Sequence, residues 1–190
     1  MLRLTFLLVS SLFILSACTA PVGTSNGAQE RRGAFTIKAR DSNSIQFRML
    51  DSINVIRQNA NVAPVSLNAQ LNAAAATHSR DMSIQNRPWH FGSDGSSPLD
   101  RVRRVGYTGA LVGENISESY ESDLDTLTAW MEQSDTRRTL LDPNAKDLGF
   151  SWFQESNGKI WWTLIMGNPQ AVAPIVTPTP LANQGPPARS

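Results

Sequence analysis

The chain is poor in cysteine and histidine, and it carries no surplus of either charge. Cys18 is the single cysteine among 190 residues, so no internal disulfide can form. Only two histidines are present, His78 and His90, and no HExxH pair is among them. Lys and Arg number 17 against 16 Asp and Glu. A chain this close to neutral has no global field with which to hold nucleic acid. Long apolar runs are missing after the first residues, and there is no internal repeat. With 41% apolar residues, the composition is that of one globular domain of ordinary size.

The first residues follow a different rule. Arg3 precedes an apolar run from Leu4 to Leu15, broken only by Thr5, Ser10 and Ser11, and Ser16 and Ala17 follow. A positive start, an apolar run of about 7–15 residues and a small-residue exit describe a secretory signal peptide. A bilayer span needs roughly 20 apolar residues. The exit Leu15-Ser16-Ala17-Cys18 resembles the bacterial lipobox, in which cleavage precedes a cysteine that then receives a diacylglycerol. Lipidation also accounts for a lone thiol in an exported chain, and two or three acyl chains anchor stably where one is marginal. Residues 1–17 are thus expected to be a lipoprotein signal and Cys18 the lipidation site. The membrane is the first expected partner, at the cell envelope. Thr19, in place of an aspartate, favours the outer membrane if the cell is Gram-negative. Without Arg3 the mature chain balances its 16 acidic residues.

Residues 18–41 open with Gly, Ser, Thr and Asn and read as a flexible tether. Residues 168–190 hold six of the eleven prolines in a polar, aperiodic context and read as a disordered tail. The domain is expected over 42–167. Ile45, Met49, Ile53 and Ile56 fall at helical spacing, and Asn59, Asn61 and Pro64 close that helix. Leu71, Ala75, His78 and Met82 mark a second helix in an alanine-rich stretch. Residues 87–97 read as a loop. Ser97-Pro98 starts a short helix that passes Val102 and stops at Gly106. A fourth helix begins after Ser122, with Leu124, Leu127 and Trp130 or Met131 inward. Residues 148–153 and 160–166 read as strands joined through Asn157-Gly158 in a hairpin. Helices followed by a hairpin give an α+β class.

Six landmarks stand in order: LNAAAATHSRDM from Leu71, Trp89-His90 with Gly95-Ser96-Ser97-Pro98, RVRRVGY from Arg101, GENI at Gly113–Ile116, Trp130-Met131 with Arg137 and Leu140-Leu141-Asp142-Pro143, and Leu148-Gly149-Phe150 before a Trp-rich strand. This series resembles the bacterial branch of the CAP superfamily, the SCP-like domains related to cysteine-rich secretory proteins, antigen 5 and pathogenesis-related proteins. The resemblance implies a three-layer α-β-α sandwich around a small antiparallel sheet. It also implies a cleft in which relatives place two histidines and two glutamates, a cluster that holds a divalent metal in some of them. Carried onto this chain, His90 matches the first histidine and Glu114 the first glutamate. Asp125 stands at the second glutamate position and Thr136 at the second histidine position.

The remnant set of His90, Glu114 and Asp125 is the candidate metal site, for zinc or, given its oxygen content, for magnesium, calcium or manganese. Each residue also has a plainer role open to it. Asp125 follows Ser122 by three, where a carboxylate caps a helix start. Glu114 can bond backbone donors in a turn around Gly113. His78 reads as a satisfied core histidine, and Arg101, Arg103 and Arg104 as a solvated face. Function divides three ways. The first is a non-enzymatic binding module whose cleft includes His90, Glu114, Asp125 and Thr136, for a lipid-like, cell-wall or protein ligand. The second is a hydrolase using His90 and Glu114, metal-dependent or with Ser93, Ser96 or Ser97. The third is a scaffold that docks a protein through the arginine helix.

Overall fold

A computed structural model describes residues 35–119 and 121–172. The signal segment, Cys18, most of the tether, Tyr120 and the end of the tail lie outside the described residues. Local capping chemistry sets the helix starts. Helix α1 runs Ser42–Asn59 after a 3-10 turn at Ala39–Asp41, and α2 runs Ala69–Gln85. The Asn68 side chain caps α2 by accepting from the Gln70 and Leu71 amides. Helix α3, Pro98–Arg104, opens with a capping box between Ser97 and Asp100 and proline in its first turn. Helix α4, Asp123–Glu132, opens with the same box between Ser122 and Asp125. Helix α5, Ser134–Leu140, has no side-chain cap and was not legible in the sequence. No described helix is long and apolar enough to cross a membrane.

Four strands form one mixed sheet in the order β1-β3-β4-β2: β1 Ser66–Leu67, β2 Gly109–Ser119, β3 Asp147–Gln154 and β4 Ile160–Val172. The expected hairpin is β3–β4, with Trp152 opposite Trp162 and Gln154 opposite Ile160. Strand β2 lies antiparallel on the far side of β4, with Glu114 opposite Ile165. The GENI segment is therefore strand rather than turn. Strand β1 pairs parallel to β3, so the small sheet is mixed rather than wholly antiparallel.

Alternation along β4 sorts its residues onto two cores. Ile160, Trp162, Leu164 and Met166 face Ile45, Met49 and Ile53 of α1, Leu127 and Trp130 of α4, and Leu140 of α5. Ile165 faces Leu71, Ala74 and Ala75 of α2 and Val102 of α3. The three layers are thus α2 with α3, the sheet, and α1 with α4 and α5. Leu124 was expected inward but is 39% exposed; Leu127 and Trp130 carry that face. Phe35 and Ile37, in the stretch expected to be tether, pack against the larger core, and the Gln154 side chain bonds the Phe35 carbonyl and the Ile37 amide. Strand β4 also continues past Gly167 to Val172, so ordered chain extends beyond both expected domain limits.

Two buried features tie the layers. The Arg57 guanidinium is fully buried and donates to the carbonyls of Ala63, Leu140, Asp142 and Ala145, joining α1 to the segment between α5 and β3. Helix α2 crosses β3 so closely at Gly149 that a Cβ there would overlap the Leu71 backbone carbonyl.

Candidate functional site

Three elements and one loop converge on Glu114. Strand β2 carries it on the face toward α2 and α3, with its side chain only 2% exposed. Helix α3 supplies Arg101, also buried, whose Nη2 donates to Oε1 at 3.0 Å and Oε2 at 2.8 Å. Its Nη1 donates to the Ser96 carbonyl at 3.1 Å. A buried carboxylate is strongly unfavourable unless paired and hydrogen-bonded, and this guanidinium does both.

The loop after α2 brings His90 to the same carboxylate. Asn86 takes a left-handed conformation (φ 49°) that ends α2 and turns the chain. Asp81, one turn earlier, fastens the loop by accepting from the Ser93 amide at 2.8 Å and the Ser93 hydroxyl at 2.5 Å. Gln85 donates to both Asp81 and the Phe91 carbonyl. Burial pushes the Asp81 carboxyl up, but the Ser93 and Gln85 bonds outweigh it, and the group rests below its ordinary value. The His90 side chain, 51% exposed, holds Nδ1 2.9 Å from Glu114 Oε1, which directs Nε2 away from that carboxylate. The residues before and after it in sequence, Trp89 and Phe91, pack on each other with ring centroids 5.9 Å apart, and the Arg87 guanidinium covers the Trp89 ring at 3.3 Å.

Helix α2 adds His78, fully buried, with Nε2 3.8 Å from Glu114 Oε1. The Trp89 backbone approaches the ring, yet neither ring nitrogen has a hydrogen-bond partner, so this histidine is buried but not satisfied. Burial pushes its pKa below the ordinary value, Glu114 pulls it up, and Arg101 pushes it down again.

The structure brings His90 and Glu114 together but spends Asp125 and Thr136 elsewhere. Asp125 accepts from the amide and hydroxyl of Ser122 in the α4 capping box. Thr136 donates its hydroxyl to the Trp130 carbonyl at 2.5 Å, and its own carbonyl accepts from Asn115, which faces away from Glu114 across β2. Among the described residues no three His, Cys, Asp or Glu side chains gather so as to hold a metal ion. The set of His90, Glu114 and Asp125 therefore does not fit a metal: one member is in a cap, and both oxygens of another face a guanidinium. The solvated-arginine expectation fails at Arg101, which is inside, while Arg104 pairs with Asp94 at the surface. The docking helix loses that residue from its face. Nor do the loop serines address His90: Ser93 donates to Asp81, Ser96 to Asp94 and Ser97 to Asp100. A small polar cavity of about 160 Å³, lined by Asp81, Ser93, Ser96, Arg101 and Arg104 among others, lies under the loop. Asp123, buried and held by Arg48 through two hydrogen bonds, went unread in the sequence because its partner lies 75 residues away.

The fold agrees with comparisons to known proteins. The uncharacterized protein YkwD of Bacillus subtilis (strain 168) is 24% identical over 138 residues, covering 73% of this chain and 53% of YkwD. An extracellular protein containing an SCP domain from Bacillus anthracis str. Ames has the same fold, with a TM-score of 0.62 and 22% identity over 70% of this chain and 45% of that one. An outer surface protein from Borrelia burgdorferi also matches, with a TM-score of 0.62 and 13% identity, over 71% of this chain and 98% of that one. The chain spans about half the length of the two Bacillus proteins. The profile of the cysteine-rich secretory protein family, CAP, matches residues 50–166, which take in most of both cores, His78, His90, Arg101 and Glu114, and the chain belongs to that family.

Proposed function

We propose that this chain is an envelope-displayed binding domain, tethered to a bacterial membrane through lipid on Cys18, and that its ligand face is the loop around His90. The observation that carries the reading is the Arg101–Glu114–His90 chain of contacts. It fixes one imidazole at the surface, next in sequence to the paired Trp89 and Phe91 rings, and Ser93 and Ser97 of the loop are bonded elsewhere. Phe91 is 48% exposed and Ile84, on the last turn of α2, is 72% exposed. An exposed aromatic ring close in sequence to a polar point suits a saccharide, which offers CH faces to the ring and hydroxyls to the imidazole. Cell-wall glycan is therefore the ligand proposed, ahead of a lipid. The larger cavity, about 740 Å³, is lined by α1 and the residues after it and shares no residue with this face. The extracellular and outer-surface descriptions of the Bacillus anthracis and Borrelia proteins support the location.

Co-sedimentation with purified cell-wall glycan tests the reading. Trp89→Ala and Phe91→Ala should each weaken binding by about tenfold, the loss expected from one aromatic contact of roughly 1.4 kcal/mol. Unchanged binding in both variants refutes the assignment of the face. A carboxylate-held imidazole is also the arrangement of a general base. Release of soluble wall fragments that stops in His90→Ala would establish the hydrolase instead.

A further inference from the structure

We propose that Arg101 is the resident cation of this cleft, occupying by a covalently attached guanidinium the electrostatic place that the family resemblance assigns to a metal ion. Among the described residues, Glu114 is the one carboxylate to which Arg101, His90 and His78 all come close. With its side chain 2% exposed it needs a positive partner, and Arg101, 4% exposed, supplies one to both oxygens. A divalent ion bonded to either oxygen at roughly 2.0–2.2 Å would stand beside a guanidinium nitrogen 2.8–3.0 Å from those same oxygens. Two further positions that the resemblance would offer such an ion are committed. Asp125 is in its cap, and Thr136 turns its hydroxyl to the Trp130 carbonyl.

A metal and an arginine differ in what can remove them. A chelator strips the first, and acid displaces it by protonating its ligands. An arginine stays charged at every pH at which the protein is folded. Arg101 is thus a positioning residue: it fixes the Glu114 carboxylate, which in turn fixes the His90 ring, and no ion is required. The proposal holds whatever ligand the loop takes, because it concerns only how the imidazole is held.

The test uses the full chain in detergent, titrated with zinc and then manganese by calorimetry, with the ring signals of the two histidines followed by NMR. The wild-type chain should take up neither ion at micromolar affinity, and its His90 signals should be indifferent to EDTA. Arg101→Met should bind zinc at least tenfold more tightly than wild type or, failing that, release His90 to the chemical shifts of a free imidazole. Arg101→Lys, which keeps the charge, should restore the wild-type result in both readouts. If Arg101→Met does not fold, the wild-type titration and the lysine variant decide. Stoichiometric zinc in the wild-type chain that disappears in Glu114→Gln overturns the proposal. So does a folded Arg101→Met whose His90 signals and zinc uptake match wild type.

Discussion

Acidification should loosen this fold through His78 before any carboxylate is involved. The imidazole is fully buried, neither nitrogen is bonded, and its pKa lies below the ordinary histidine value of 6.5. The charged and titratable groups around it are Glu114 on β2, Arg101 on α3, Asp81 on its own helix, and His90 in the loop. In the unfolded chain His78 takes a proton near pH 6.5, while in the folded protein it stays neutral to lower pH. The unfolded state therefore binds more protons below that pH. The stabilisation is complete above it and is lost as pH falls toward the folded-state value. One proton sets the limiting slope at about 1.4 kcal/mol per pH unit. Denaturant unfolding at about pH 8, 7, 6 and 5.5 measures it. That window lies above the range in which Asp81, itself held below the ordinary carboxyl value of 3.8, changes charge. His78→Leu should flatten the curve between about pH 6.5 and 5.5. His90→Gln should leave the contribution of His78 in place. Equal slopes in wild type and His78→Leu, or stability that rises as pH falls, would refute the reasoning.

Arg57→Met should cost about 3–5 kcal/mol, since it strands four carbonyls that share one buried guanidinium; a loss below about 1 kcal/mol in denaturant unfolding would contradict the bridge. Gly149→Ala forces α2 off β3 at Leu71 and should cost at least about 2 kcal/mol, read as a lower midpoint in thermal unfolding. Ser122→Ala breaks the capping box of α4 and should cost about 1 kcal/mol with no effect on zinc uptake. Metal uptake altered by that last change would return Asp125 to the cleft.

Most of the architecture was legible because its signals are local. Ser97-Pro98 as a helix start, and Ser122 with Asp125 as a cap, are written within four residues; the structure keeps both and adds Asp100 to the first. The apolar stripes of α1 and α2 and the Asn157-Gly158 hairpin were likewise readable at short range. Strand β2 was not, because Gly113, Glu114, Asn115 and Ser117 have no strand-like composition; pairing with β4 makes it a strand. Helix α5 carries no apolar period over its seven residues. The site was half legible. His90 and Glu114 were placed by resemblance and do meet, but Arg101 sits in a run of arginines whose members look alike in sequence. Only the buried carboxylate 13 residues on selects which one turns inward. His78 was rightly placed on an inner stripe, but its lack of a partner is a property of three dimensions.

The aromatic inventory has an optical consequence. Four of the five tryptophans, Trp130, Trp152, Trp161 and Trp162, belong to the sheet and its packing, where the Trp162 ring stacks on Phe150 at 5.6 Å and 5°. Trp89 alone lies in the loop beside His90, under the Arg87 guanidinium. Emission from the four should follow the folded state, while emission from Trp89 should follow whatever displaces Arg87. The chain thus carries separate intrinsic fluorophores for unfolding and for events at the loop, and Trp89→Phe subtracts the second from the first.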